Sequence, residues 1–230
     1  MARAAEAEPR AILVDKPAGP TSHDVVAQCR RQMGRPKTGH TGTLDPFATG
    51  LMVLLVGRAT RLAPYLSGLD KTYVAGMQMG ARSESGDPEG PITQGGTPTD
   101  EQALRAGLQR LVGVGRQTVP ALSAVKVGGE RLYAITRRGE EVERPTRQVV
   151  VERADLVSYD PMTAIAQVEI RCGSGTYVRQ LAADLGDDLG CGAFCASLRR
   201  TEVGGISVRD ALAPDEVTPG CGVDPIEVLA

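Results

Sequence analysis

One short run, Gly39-His40-Thr41-Gly42-Thr43-Leu44-Asp45-Pro46, gathers residue types that chemistry uses. Pro46 disfavours helix at position 45 and keeps that backbone extended. Gly39 and Gly42 allow tight geometry on the approach. A loop of this kind fixes the direction of a carboxylate, as a nucleophile or base requires. An ordinary Asp-Pro turn would read the same way, so both readings stay open at Asp45. No Ser/His/Asp trio, paired carboxylates or phosphate-cradling glycine loop stands nearby, which leaves hydrolase and kinase chemistry with little support. Metal chemistry fares no better. The five cysteines, Cys29, Cys172, Cys191, Cys195 and Cys221, are scattered, and the only histidines are His23 and His40. The spacing of Cys191 and Cys195 would supply half a zinc site at most, so reduced, buried or partly buried thiols are expected.

The elements that must position these residues follow from pattern. "AILVDKP" is a short strand halted by Pro17. Thr21 with Asp24 forms a capping box, which opens a helix carrying Val25, Val26, Cys29 and Met33 on one face. A loop over 34–47 leads to an apolar strand at 51–56 and then a short basic helix over about 58–66. "KTYVAGMQMG" alternates as a strand, with Tyr73, Ala75, Met77 and Met79 on one side. "SESGDPEGPITQGGTPTD" reads as an exposed loop. Thr99 or Asp100 caps a helix bearing Leu104, Leu108, Leu111 and Val112. "RQVVVERADLVSY" and "MTAIAQVEIRC" read as adjacent strands. Val178, Leu181, Ala182, Leu185 and Leu189 trace an amphipathic helix after "GSGTY". Strands and helices alternate without parallel-sheet regularity, so the expected class is α+β, with a mixed, mostly antiparallel sheet flanked by helices and loops.

With 41% hydrophobic residues over 230 positions, the chain has ample material for a core. "MARAAEAEPR" lacks the apolar stretch of a signal peptide, and no run approaches a membrane span, so a cytoplasmic protein without membrane contact is expected. The net charge of −2 argues against nucleic acid as a partner. Its distribution argues the other way. Between Arg10 and Arg82, ten basic residues stand against four acids, and phosphate binding needs local rather than global positive charge.

Five ordered blocks carry a resemblance. "GHTGTLDPFATGLMVLLVGRATR" is similar to the catalytic signature of the TruB family of tRNA pseudouridine synthases. "DKPAGPTSHDVV", "KTYVAGMQMGARSESGDPEG", "PALSAVKVGGERLY" and "GSGTYVRQLAADLGDDLGCGAFCASLRRTEVG" resemble four further family blocks in the correct order. The likeness runs from about Ile12 to about Gly205. It implies the pseudouridine synthase fold and isomerisation of a uridine in the T loop of tRNA, uridine 55 in standard tRNA numbering, with no cofactor and no metal.

The resemblance also implies roles. Asp45 matches the family's essential aspartate, nucleophile or base at the sugar, and an ionised carboxylate calls for a cation close by. Arg179 matches the arginine that pairs with it; without the motif it would read as a surface residue early in a helix. Tyr73 matches the tyrosine that stacks on the target base, and Tyr177 a second pocket tyrosine. Leu198 matches an apolar wall of the uracil pocket, and His40 the histidine beside the flipped base. Lys16 matches a lysine supporting the pocket, with phosphate contact or simple solvation as alternatives. Arg58, Arg61, Arg199 and Arg200 are expected to form an RNA-binding rim.

Departures exist. Ala121 stands where a second proline is common, Leu122 where Tyr or Phe is frequent, and "ARSESGDPEG" lacks the usual threonine-aspartate-threonine pattern while keeping Asp87 and Gly90. The domain expectation is a disordered tail over 1–9, a catalytic domain over 10–205, and a short segment over 206–230 in place of a full RNA-binding domain. The T-stem-loop of tRNA is the expected partner, with a monomer needing no other protein. A non-catalytic tRNA-folding chaperone is the alternative. A relative working inside guide-RNA particles is a third reading, disfavoured by the missing extensions.

Overall fold

The computed structural model describes residues 8–123, 125–140 and 142–228. The tail expected over 1–9 lies outside the described residues as far as residue 7. In chain order the elements are β1 (Arg10–Lys16), α1 (Ser22–Gln32), β2 (Thr38–His40), β3 (Thr49–Val56), α2 (Ala63–Gly68), β4 (Lys71–Met79), β5 (Ala81–Ser83) and β6 (Ile92–Gln94). There follow α3 (Glu101–Leu111), β7 (Gly113–Thr118), β8 (Lys126–Val127), β9 (Glu130–Arg131), α4 (Leu132–Arg137), β10 (Thr146–Asp160), β11 (Ile165–Cys172), α5 (Val178–Asp188), β12 (Ala193–Val203) and β13 (Ile206–Ser207). The class is α+β with a mixed, mostly antiparallel sheet. The chain divides into two compact units, one made of residues up to Tyr73 and from Leu198 onward, the other Val74–Ser197.

In the first unit β3 is central. It pairs antiparallel with β1, from Arg10↔Val56 to Lys16↔Gly50, and antiparallel with β2. Its start pairs parallel with β12 at Arg199↔Thr49 and Arg200↔Gly50. The run "LMVLLV" is continuously buried because β3 has neighbours on both edges and covered faces. Its Leu51, Val53 and Leu55 meet Ala11, Ala59, Leu66 and Val203 in one apolar cluster. Helix α1 begins with the expected capping box: Thr21 accepts from the Asp24 amide, and the Asp24 carboxylate accepts from Thr21. The basic helix expected over 58–66 is instead a 3-10 turn at Gly57–Leu62 followed by α2, whose first turn contains Pro64. The segment after Gly205, poor in periodic signal, bonds along β1: Ala11 and Val223 exchange both backbone hydrogen bonds, and Leu212 bonds to Leu13 and Asp15.

In the second unit the strand order is β4-β11-β10-β7. The adjacency expected for β10 and β11 is present and antiparallel, from Val151↔Cys172 to Asp160↔Ile165. Asp100 caps α3 by accepting from the Ala103 amide. The supposed exposed loop after β4 is partly ordered: β5 and β6 form a hairpin, and Ser85 and Asp87 are buried within it. Four cysteines are buried, Cys221 is partly so, and all five are free thiols. Burial raises the Cys29 thiol to about 11. Among the described residues no helix is long and apolar enough to cross a membrane.

Candidate active site

Asp45 lies in the connection between His40 at the end of β2 and Thr49 at the start of β3. Anchors flank it on both sides. Ser22 Oγ, from the buried face of α1, donates to the Leu44 carbonyl at 2.9 Å and accepts from the Leu44 amide at 2.8 Å. The Pro46 carbonyl accepts from the Gly19 amide at 2.9 Å and from Lys16 Nζ at 3.0 Å. Lys16 Nζ also donates to the carbonyls of Ala48 at 2.7 Å and Pro17 at 2.9 Å. Residues on either side of Asp45 are therefore bonded to the body of the unit, while the Asp45 side chain remains partly accessible.

Lys16 is completely buried at the end of β1. An ammonium has three donors, and these reach three carbonyls. A buried cation without such partners would be costly. Lys16 is therefore not a solvated lysine: its ammonium is bonded to the backbone of the loop that carries Asp45.

Arg200 corrects the expectation of an RNA-binding rim. It is 2% exposed, with Nε donating to the Leu51 carbonyl at 2.7 Å and Nη2 to the Gly42 carbonyl at 3.1 Å. Its guanidinium thus joins the two ends of the Asp45 loop. Arg199, the next residue on β12, pairs with both oxygens of Asp15 at 3.0 and 2.7 Å. Alternation along a strand sends these two neighbours to opposite faces. Arg58 and Arg61 are exposed, as a rim requires.

His40 is half-buried at the end of β2 rather than in a loop. Its Nδ1 is buried with no hydrogen-bond partner among the described residues, while the ring does bond to the Gly42 backbone. The His23 ring stands edge-on at 5.7 Å. Burial, then the positive charges of His23 and Arg200, lower the imidazole below its ordinary value of 6.5. A neutral ring at pH 7 follows. Tyr73 on β4 and Leu198 on β12 are each 8% exposed, and the Leu198 carbonyl accepts from Thr49 Oγ1 at 3.5 Å.

The second unit places Tyr177 and Arg179 together. Tyr177 caps α5, and Arg179 is the helix's second residue, 3% exposed rather than on the surface. Its Nη1 donates to the Ser85 carbonyl at 3.0 Å and its Nη2 to the Leu122 carbonyl at 2.8 Å. Nε stands 3.9 Å from Asp87 Oδ2. That carboxylate is itself held by Ser85 Oγ at 2.5 Å and the Glu89 amide at 3.1 Å. The guanidinium lies 5.7 Å from the centre of the Tyr177 ring. Leu122 takes part through its carbonyl, so its departure from the usual aromatic residue leaves this bond intact. Sequence reasoning noted Asp87 only as a retained motif residue and missed Ser85 and Gln117, whose amide bonds the Tyr177 backbone. The retained Asp87 was the one available signal.

Among the described residues no group of three or more His, Cys, Asp or Glu side chains is placed to hold a metal ion. The arrangement offers a fixed, partly accessible carboxylate in one unit and a fixed guanidinium beside a tyrosine in the other.

Comparison with known proteins agrees with the resemblance. Residues 30–178 match the profile of the TruB family pseudouridylate synthase (N terminal domain). The chain is 44% identical over 223 residues to tRNA pseudouridine synthase B of Thermobifida fusca (strain YX), covering 94% of this chain and 76% of the relative. It is 44% identical over 210 residues to the protein of that name from Opitutus terrae, covering 90% and 86%. Among solved structures, a Cbf5-Nop10-Gar1 complex matches with a TM-score of 0.67 and 29% identity, over 86% of this chain and 50% of that one. An archaeal box H/ACA sRNP Nop10-Cbf5 complex matches with a TM-score of 0.66 and 25% identity, over 96% and 57%. The chain thus spans little more than half of these structural neighbours.

Proposed function

Because the chain belongs to the TruB family of pseudouridylate synthases, we propose that it converts uridine 55 in the T loop of tRNA to pseudouridine. The curated relatives carry the name tRNA pseudouridine synthase B, which supports tRNA as the substrate. In the proposed reaction the target nucleotide is turned out of the folded loop. Asp45 attacks C1′, or takes a proton from the sugar, as the N1–C1′ bond breaks. The freed uracil rotates, and C5 bonds to C1′ as the Asp45–C1′ bond breaks or, on the second route, as Asp45 returns the proton to the sugar. The C5 proton then leaves and N1 gains one. Atoms balance without an external donor, as an isomerisation requires.

Arg179 supplies the guanidinium that pairs with the reacting carboxylate. Tyr73 stacks on the base and assists departure of the C5 proton. Tyr177 and Leu198 line the uracil, and neutral His40 fills space beside the extruded nucleotide. The enzyme works as a cytoplasmic monomer, with Arg58 and Arg61 contributing to the RNA-facing rim. The observation that carries this reading is the anchoring on both sides of Asp45 by Ser22, Lys16 and Arg200, because a nucleophile must be held in place before it reacts.

The test is tritium release from a T-stem-loop RNA labelled at uridine C5. Asp45→Asn is expected to slow release by at least about a thousandfold, roughly 4 kcal/mol in the barrier, with RNA binding changed by no more than about threefold. Normal release by this variant would remove Asp45 from the mechanism. Binding without any release by the wild type would favour the folding-chaperone alternative.

A further inference from the structure

We propose that Gln117 is a positioning residue for the isomerisation, acting through the backbone of Tyr177 to fix the Arg179 guanidinium. This rests on the reading of Arg179 given above. Gln117 lies on β7 and is 2% exposed. Its Oε1 accepts from the Tyr177 amide at 2.9 Å, and its Nε2 donates to the Tyr177 carbonyl at 3.0 Å. A carboxamide carries one acceptor and one donor side in a plane, which matches the acceptor and donor that one residue's backbone presents.

That residue is the N-cap of α5, where the first amides and carbonyls set the helix's direction. The Tyr177 side chain makes no capping bond. Its carbonyl also accepts from the amides of Gln180 and Leu181, each at 3.1 Å, so Gln117 grips the point from which the first turn hangs. Arg179 is two residues further on.

The residue opposite Gln117 in the sheet strengthens the grip. Arg147 of β10 is its direct cross-strand partner. Arg147 Nη1 donates to the Gly175 carbonyl at 3.1 Å, and its guanidinium stands 5.1 Å from the Tyr177 ring centre. Two neighbouring side chains of one strand pair therefore hold the turn that launches α5, Gln117 by the Tyr177 backbone and Arg147 by Gly175 and the ring. On the far side of the turn, Arg179 meets the Ser85 and Leu122 carbonyls. Both bonds lie within hydrogen-bonding range only for a narrow set of helix positions. A glutamate at position 117 would lose the donor and set a carboxylate against the Tyr177 carbonyl. A leucine would lose both bonds.

The experiment measures tritium release from the T-stem-loop RNA for Gln117→Leu, Gln117→Glu, Arg179→Lys and the double variant Gln117→Leu/Arg179→Lys. Gln117→Leu is expected to lower kcat about 10- to 100-fold, the scale of a misplaced catalytic group, with KM within about threefold. Gln117→Glu should fall between it and wild type, and it carries the test if the leucine variant does not fold. Arg179→Lys should be slow, and adding Gln117→Leu should slow it by no more than about twofold, since a displaced guanidinium matters only while it is present. A merely structural cap would give losses that multiply, and that result overturns the proposal. So does a Gln117 variant with unchanged kcat while Arg179→Lys is slow. Wild-type kcat in Arg179→Lys would overturn the Arg179 reading itself and this inference with it.

Discussion

Lys16 Nζ donates to the carbonyl oxygen of Ala48 across 2.7 Å, deep beneath the loop that carries Asp45. A lysine at the end of a strand ordinarily reaches solvent. Here the chain returns from β1 to β3 beside it, so the ammonium finds carbonyls at Pro46 and Ala48 that no strand partner takes up. Loop and cation satisfy each other: the carbonyls compensate a desolvated charge, and the charge closes the loop.

Lys16→Met is accordingly expected to destabilise the protein although methionine fits the apolar stem. Three carbonyls lose a charged donor, a cost of about 2–4 kcal/mol. For a chain of this size that lowers the thermal midpoint by about 5–10 °C. Calorimetry reads the shift, and a midpoint within a degree of wild type would mean that the ammonium contributes nothing net. In the remaining folded fraction kcat should fall more than KM rises, because Asp45 is loosened rather than removed.

Arg200→Lys separates charge from geometry. A lysine keeps the positive charge, but its single ammonium cannot span the Gly42 and Leu51 carbonyls that Nη2 and Nε now reach. The expected loss is about 1.5–3 kcal/mol in urea unfolding, with RNA binding unchanged because the side chain is buried. A drop in RNA affinity at full stability would restore Arg200 to the RNA-facing rim.

How much of this was legible in the sequence depends on the range of the interaction. The α1 capping box joins residues three apart, and α5 shows its apolar face over three turns, so both could be read directly. Arg199 and Arg200 are chemically identical in sequence, and only the phase of β12 decides which one faces inward. Ser85 and Asp87 sat in a stretch whose Gly, Pro and acid content suggested exposure. They are buried, and the Ser85 carbonyl accepts from Arg179, 94 positions further on. The Gln117–Tyr177 contact spans 60 positions, and no local pattern announces it. Asp45, Tyr73 and Arg179 could be nominated because the family motifs that hold them are long and ordered, whereas their spacing alone left ordinary structural explanations standing.

His40 should make the fold sensitive to mild acid. Its folded-state value lies below the ordinary 6.5, chiefly through burial, with His23 and Arg200 adding to the effect. The unfolded chain therefore takes up the proton first. Stability is fully present above about 6.5, falls as pH drops below it, and levels off beneath the lowered folded value. Urea unfolding between about pH 7.5 and pH 5 should show this loss in wild type and a smaller one in His40→Gln. Equal slopes in the two proteins would assign the acid sensitivity to other groups.

Gly50→Ala tests the junction on which the Asp45 loop closes. Gly50 has φ +105, a conformation that side chains rarely adopt, and it pairs in parallel with Arg200. An added Cβ would stand 2.2 Å from the Arg200 carbonyl oxygen and 2.7 Å from its nitrogen. Backbone cannot swing aside as a side-chain tip can, so relief requires β3 and β12 to separate at this point. Separation would pull the Arg200 guanidinium away from Gly42 and Leu51 and open the loop at both ends. One methyl group is thus expected to cost more than about 3 kcal/mol, the sum of backbone strain and lost packing. The variant should be recovered with a thermal midpoint at least about 6 °C lower, or not folded at all. Gly205→Ala, where the added methyl meets nothing within 4 Å, is the control and should leave the midpoint within about 2 °C of wild type. If Gly50→Ala instead matches that control in midpoint and in tritium release, the close approach of β3 to β12 does not hold the loop.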